Sequence, residues 1–133
     1  VFPLRLLLAL ILTPAAAALA AEVKRISAKE AAELVAAGKA VLVDVREAPE
    51  WQSSGVAAPA VLLAKSDFDG AQKQWKPFLA KNADKQILLY CASGGRSQEM
   101  AGELAAKGVN VANVGRLRDW TNAGLPVRKV EGK

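Results

Sequence analysis

Leu88-Leu89-Tyr90-Cys91-Ala92-Ser93-Gly94-Gly95-Arg96-Ser97-Gln98-Glu99-Met100 joins an apolar run to a helical pattern through a glycine-bearing loop, and the only cysteine of the chain stands at the junction. The run reads as a strand, the loop as a tight turn, and the continuation through Met100 and Leu104 as a helix closed by Gly108. That order puts Cys91 at the carboxyl end of a strand and aims several backbone N–H groups, together with the positive end of the following helix, at one point. A thiolate there is stabilised. With Arg96 nearby, its pKa is expected below the free value of about 8.5, which makes it nucleophilic near neutral pH. Gly94 and Gly95 permit the positive φ angles and close approach that such a cradle needs. Taken alone, a single cysteine ending an apolar strand is more often a small core hydrophobe than a nucleophile. The loop chemistry around Cys91 tips the reading the other way.

On both sides of this stretch, strand and helix patterns alternate. Glu22 to Ile26 is an entering strand, and Ser27-Ala28-Lys29-Glu30 has the form of a capping box opening a helix that runs to about Ala37, with Gly38 as its stop. Ala40-Val41-Leu42-Val43-Asp44-Val45 is nearly continuous in apolar and β-branched residues, as expected of a central parallel strand covered on both faces. Val61 to Ala64 is a short strand. Ser66-Asp67-Phe68-Asp69 opens a helix whose core face carries Phe68, Trp75, Phe78 and Leu79, with Pro77 as a point where it kinks or divides. Gln86 to Tyr90 forms the strand feeding Cys91, Ser97 to Lys107 the next helix, and Val109 to Val114 the last strand. Short connections between alternating strands and helices predict a right-handed α/β sheet with helices on both faces. In such a sheet the reactive loop lies outside the carboxyl ends of the strands.

Composition narrows the chemistry. The chain of 133 residues has room for one domain, and its charged and apolar fractions argue against disordered and fibrous classes. A net charge of +5 is moderate and scattered, without a dense basic run or interleaved aromatics, so nucleic-acid binding is a weak reading and attraction of small anions a better one. There is no histidine, which removes His-based metal sites, Ser–His and Cys–His dyads and the usual imidazole base. Any catalysis must use a nucleophile that is already ionised. The single cysteine cannot form an intramolecular disulfide.

The first residues read as a leader: Arg5, the apolar run Leu6 to Leu12, Pro14, and the small-residue end Ala18-Leu19-Ala20. The expectation is a secretory signal over residues 1–20, cleaved before Ala21, with residues 21–133 as the single domain and a bacterial periplasmic or secreted location. An uncleaved anchor is the alternative; after cleavage no membrane association is expected. An unpaired cysteine in an exported protein is better explained as a working thiol than as half of a structural bridge.

Three stretches together resemble the rhodanese-like domain family, the single-domain thiosulfate sulfurtransferases. Cys91, four residues, Arg96 and Ser97 at a strand-to-helix switch resembles the family's active-site loop; protein tyrosine phosphatases and their cell-cycle relatives carry a loop one residue longer. Asp44-Val45-Arg46, followed by Glu50-Trp51 and Gly55, resembles its first motif, although Val56 stands where members often have histidine. Gly115, Trp120 and Gly124-Leu125-Pro126 resemble its ending, with Arg116 in place of a common second glycine. By the residues alone, Asp44 and Arg46 read as an ion pair and Trp51 as a core aromatic.

The resemblance, over Ile26 to Val127, implies a rhodanese fold with a five-stranded, mostly parallel sheet flanked by helices on both faces. It also implies sulfur transfer from a small anionic donor such as thiosulfate to cyanide or a thiol through a Cys91 persulfide, without cofactor or metal. Ala92, Ser93, Gly94, Gly95 and Arg96 would bind the substrate; Asp44, Arg46 and Arg116 would support them. Family members often have arginine immediately after the cysteine. Here that position is Ala92, and Arg116 is the candidate to supply the missing charge. A non-enzymatic persulfide carrier serving a protein sulfur acceptor is the alternative function, and a redox or phosphatase-like enzyme ranks third.

Overall fold

Residues 22–132 are described by a computed structural model; the leader expected over residues 1–20 lies outside the described residues. Among the described residues, seven strands and six helices follow one another as β1 (Lys24–Arg25), α1 (Ala28–Ala36), β2 (Ala40–Asp44), α2 (Ala48–Ser54), β3 (Val56–Ala57), β4 (Val61–Leu62), α3 (Lys65–Asp69), α4 (Trp75–Lys81), β5 (Gln86–Cys91), α5 (Gly95–Ala106), β6 (Val111–Arg116), α6 (Leu117–Asn122) and β7 (Val127–Arg128). Five strands form one sheet in the order β1-β6-β5-β2-β4, with every pairing parallel. β3 and β7 pair antiparallel as a separate two-stranded ribbon.

The period of two along the central strands divides the core. Ile87, Leu89 and Cys91 of β5 join Val43 and Val45 against Phe68, Trp75, Met100 and Leu104 from α3, α4 and α5. Leu88 and Tyr90 face the opposite way, with Leu42, against Ala31 of α1 and Trp120 of α6. Both faces of β5 are therefore dry, and its carboxyl end has one exit, the loop after Cys91.

Local signals explain most boundaries. Ser27 caps α1 through Oγ, which accepts from the Glu30 N–H at 3.1 Å. The helix expected from Ser66 through Leu79 is two helices, and the break falls at residues 70–74 rather than at Pro77. Asp67 causes it: its carboxylate accepts from the N–H groups of Lys73, Gln74 and Trp75 at 2.9, 3.0 and 3.0 Å, so the chain turns around that side chain. Pro77 then sits in the first turn of α4, where its missing N–H costs nothing. Phe68, Trp75 and Phe78 still meet edge to face, with ring centroids 5.2 and 5.8 Å apart.

Candidate active site

Cys91 is the last residue of β5 and is fully buried. Its Sγ accepts from the Gly94 N–H at 3.0 Å and faces the Ser97 hydroxyl at 3.5 Å. Gly94 makes this possible: at φ 88° it turns the chain back over the sulfur as the N-cap of α5, and its backbone packs on Gly115 of β6. Burial pushes the thiol pKa up, but the Ser97 hydroxyl and the N–H groups of Ser97, Gly94 and Arg96 outweigh it, and the net shift is downward. These donors favour the anion over the neutral thiol. Ala92, Ser93 and Gly95 are exposed around it, while Ser97 is buried beneath.

Arg96 Nη1 and Nη2 donate to Glu50 Oε1 and Oε2 of α2 at 2.6 and 2.8 Å, and the guanidinium stays within interaction range of the Cys91 sulfur. This fork-to-fork pair holds the Glu50 carboxyl at about 2, well below its ordinary 4.5, chiefly through the guanidinium hydrogen bond. α2 itself is positioned by Pro49 in its first turn and by Gly55, whose φ of 73° and contact with Arg128, where a Cβ would lie 2.8 Å from the carbonyl oxygen, admit no side chain.

Beneath α2 lies the second ion pair. Asp44, at the end of β2, accepts from Arg46 Nε at 3.0 Å, from Arg46 Nη2 at 2.8 Å and from Trp51 Nε1 at 3.1 Å, while Arg46 also donates to Ser54 Oγ and the Gly55 carbonyl at 2.7 and 2.8 Å. Both charges are buried, and this network binds the end of β2 to α2. Tyr90 adds a link on the other face, its hydroxyl accepting from the Ala57 N–H at 2.9 Å.

The backbone of Arg116 is in register with Cys91 across the β5–β6 ladder. Its side chain is taken up by Asp119, with Nη2 to Oδ1 at 2.8 Å, at the start of α6. The expected residues therefore fall into two groups. Cys91 through Arg96 form the loop, with Asp44 and Arg46 under the helix that clamps it, whereas the Arg116 guanidinium is engaged elsewhere.

Three residues not singled out as site members belong to this constellation. Glu50 appears only as part of a motif, and its partner is distant in sequence. Ser97 follows Arg96 directly and supplies a donor to the sulfur. Asn113 is buried in β6; its Oδ1 accepts from the Gly115 N–H at 2.9 Å, and its Nδ2 donates to Gln98 at 3.0 Å and to the Gly94 carbonyl at 3.4 Å. It sits where the β5–β6 register slips, which makes room for the loop. An amide inside an apolar strand run was the available signal.

Beside the loop, Arg46, Pro49, Glu50, Ser53, Ser54 and Ala92 line an open cleft of about 460 Å³. It falls within the size range of small-molecule sites.

A family model described as Rhodanese-like domain matches residues 27–123. Among solved structures, a rhodanese-related protein from Thermoplasma volcanium is 26% identical, with a TM-score of 0.66 over 79% of this chain and 97% of that one. A rhodanese-like domain protein from Staphylococcus aureus is 26% identical, with a TM-score of 0.60 over 80% and 99%. A thiosulfate sulfurtransferase from Pseudomonas aeruginosa gives a TM-score of 0.68 at 21% identity over 82% of this chain but only 21% of its own, a likeness of fold. No curated protein gives a significant match.

Proposed function

The chain belongs to the rhodanese-like domain family, and on that premise we propose that it is a sulfurtransferase carrying sulfane sulfur on Cys91. The supporting observation is the sulfur's setting: Cys91 Sγ ends a parallel strand and faces the Gly94 N–H at 3.0 Å and the Ser97 hydroxyl at 3.5 Å.

In the first half-reaction the Cys91 thiolate attacks the outer sulfur of the donor. The donor's S–S bond breaks and its remainder leaves with the electron pair, as sulfite when the donor is thiosulfate. In the second, cyanide or a thiolate attacks the terminal sulfur of the Cys91 persulfide; a new bond to sulfur forms, the persulfide S–S bond breaks, and the Cys91 thiolate returns. The two halves cancel without an external oxidant. The donors that shift the thiol toward its anion reduce the need for a general base. Backbone N–H groups from Ala92 to Arg96 hold the charge of the persulfide, and Arg96, clamped by Glu50, braces the loop. A thiol on a partner protein is an acceptor compatible with the same chemistry.

The test is steady-state kinetics with thiosulfate and cyanide, following thiocyanate. Double-displacement kinetics in the wild type and silence in Cys91→Ser are expected. A sequential pattern, or turnover in Cys91→Ser, would overturn the persulfide route.

A further inference from the structure

The Gly94 carbonyl has three donors within reach. They are the Gln98 N–H of α5 at 3.0 Å, the Ser97 hydroxyl at 3.1 Å and Asn113 Nδ2 at 3.4 Å. A carbonyl oxygen has two lone pairs, and a hydroxyl has one proton. The Ser97 proton therefore has a choice, because Cys91 Sγ also lies 3.5 Å from Oγ.

Asn113 decides it. Its Oδ1 accepts from the Gly115 N–H at 2.9 Å, and since a backbone N–H only donates, this bond fixes which way the amide points. Nδ2, with its two protons, is left facing Gln98 Oε1 at 3.0 Å and the Gly94 carbonyl. With the Gln98 N–H and Asn113 Nδ2 on its two lone pairs, the Gly94 oxygen is filled, and the Ser97 proton is left for the sulfur. Ser97 and Asn113 are both buried, so bulk water does not replace either partner. A hydrogen bond to the sulfur strengthens as the sulfur becomes anionic.

We propose that Asn113 is a positioning residue for the Cys91 nucleophile: by filling the Gly94 carbonyl it turns the Ser97 hydroxyl onto the sulfur. Its bearing on catalysis rests on the sulfurtransfer reading above, whereas the hydrogen-bond pattern stands apart from it. The charged groups around the loop are left in place by a change at 113. Arg96 of α5 is paired with Glu50 of α2, Asp44 with Arg46 at the end of β2, Arg116 and Arg25 with Asp119 of α6, and Lys65 of α3 with Asp69 and Glu99.

The experiment is a double-mutant cycle on the pH midpoint of iodoacetamide alkylation at Cys91, in wild type, Asn113→Leu, Ser97→Ala and the double variant. Asn113→Leu should raise the midpoint by about half a pH unit, roughly a threefold loss of thiolate below it, and should add nothing in the Ser97→Ala background. Equal shifts in both backgrounds would make Asn113 a brace of the β5–β6 irregularity and overturn the proposal, as would the absence of a shift when Ser97 is present. Should Asn113→Leu not fold, Asn113→Ala, which also lacks the amide donor, carries the same cycle. Sulfur loading of Cys91 from thiosulfate, followed by intact mass below the midpoint, should slow by the same factor as alkylation. A wild type that alkylates but never loads overturns the sulfurtransfer reading, while the cycle still decides the role of Asn113.

Discussion

Arg96 and Glu50 meet fork to fork between the loop and α2, Nη1 to Oε1 at 2.6 Å and Nη2 to Oε2 at 2.8 Å, joining residues 46 positions apart. The contact fixes the sixth residue of the loop to a helix that is itself anchored through Asp44 and Arg46.

Glu50→Gln loses one charge of this pair and should cost about 1 kcal/mol, since both side chains are about one-third exposed and solvent screens them. The pH dependence follows from the depressed carboxyl. The Glu50 contribution is present above its ordinary value of 4.5 and is lost as pH falls toward about 2. Thermal melts of wild type and variant should therefore differ at neutral pH and converge near pH 2; a gap that widens on acidification would contradict the pairing.

Arg46→Ala should be far more damaging. It leaves the Asp44 carboxylate fully buried with Trp51 Nε1 as its remaining side-chain donor, and removing one partner of a buried ion pair costs about 3–5 kcal/mol. Chemical denaturation measures it; a loss below about 1 kcal/mol would mean that Asp44 is resolvated from the α2 side.

Ser97→Ala removes the hydroxyl facing Cys91 Sγ and leaves the backbone donors in place. The midpoint of iodoacetamide alkylation should move to higher pH and the rate at pH 7 should fall severalfold, with little change in melting temperature. An unchanged midpoint would assign Ser97 to the Gly94 carbonyl, which it also reaches at 3.1 Å.

Asn113→Leu leaves the buried Gly115 N–H without its acceptor and frees the Gly94 carbonyl and Gln98. The expected cost is about 1–3 kcal/mol, from the unsatisfied donor. Urea denaturation reads the cost, and alkylation of the folded variant reports whether the loop has loosened around Cys91.

Much of this arrangement was legible in the residues. The run Leu88 to Met100 specified strand, loop and helix, and the alternation of Ile87, Leu89 and Cys91 against Leu88 and Tyr90 required a sheet covered on both faces. The cap at Ser27 and the glycine at 94 are local signals. Less legible were α2, α6 and the β3–β7 ribbon, elements of two to seven residues whose stability comes from tertiary partners rather than from periodicity. Trp120 illustrates the point: its Nε1 donates to the Pro126 carbonyl at 2.7 Å and its ring packs on the sheet, which holds a six-residue helix in place. The division of the Ser66–Leu79 segment depended on the carboxylate of Asp67 folding back on the chain, where helical spacing of aromatics pointed to continuity. Pairings across the fold, Glu50 with Arg96 and Asn113 with Gly94, have no signature in local spacing.

The most direct measurement is the intact mass of the protein after incubation with a sulfane-sulfur donor and removal of excess reagent, before and after cyanide. Wild type should gain the mass of one sulfur and lose it to cyanide with release of thiocyanate, while Cys91→Ser, folded by its melting transition, should gain nothing. A wild-type mass that does not change, or an equal gain in Cys91→Ser, would contradict Cys91 as the sulfur carrier.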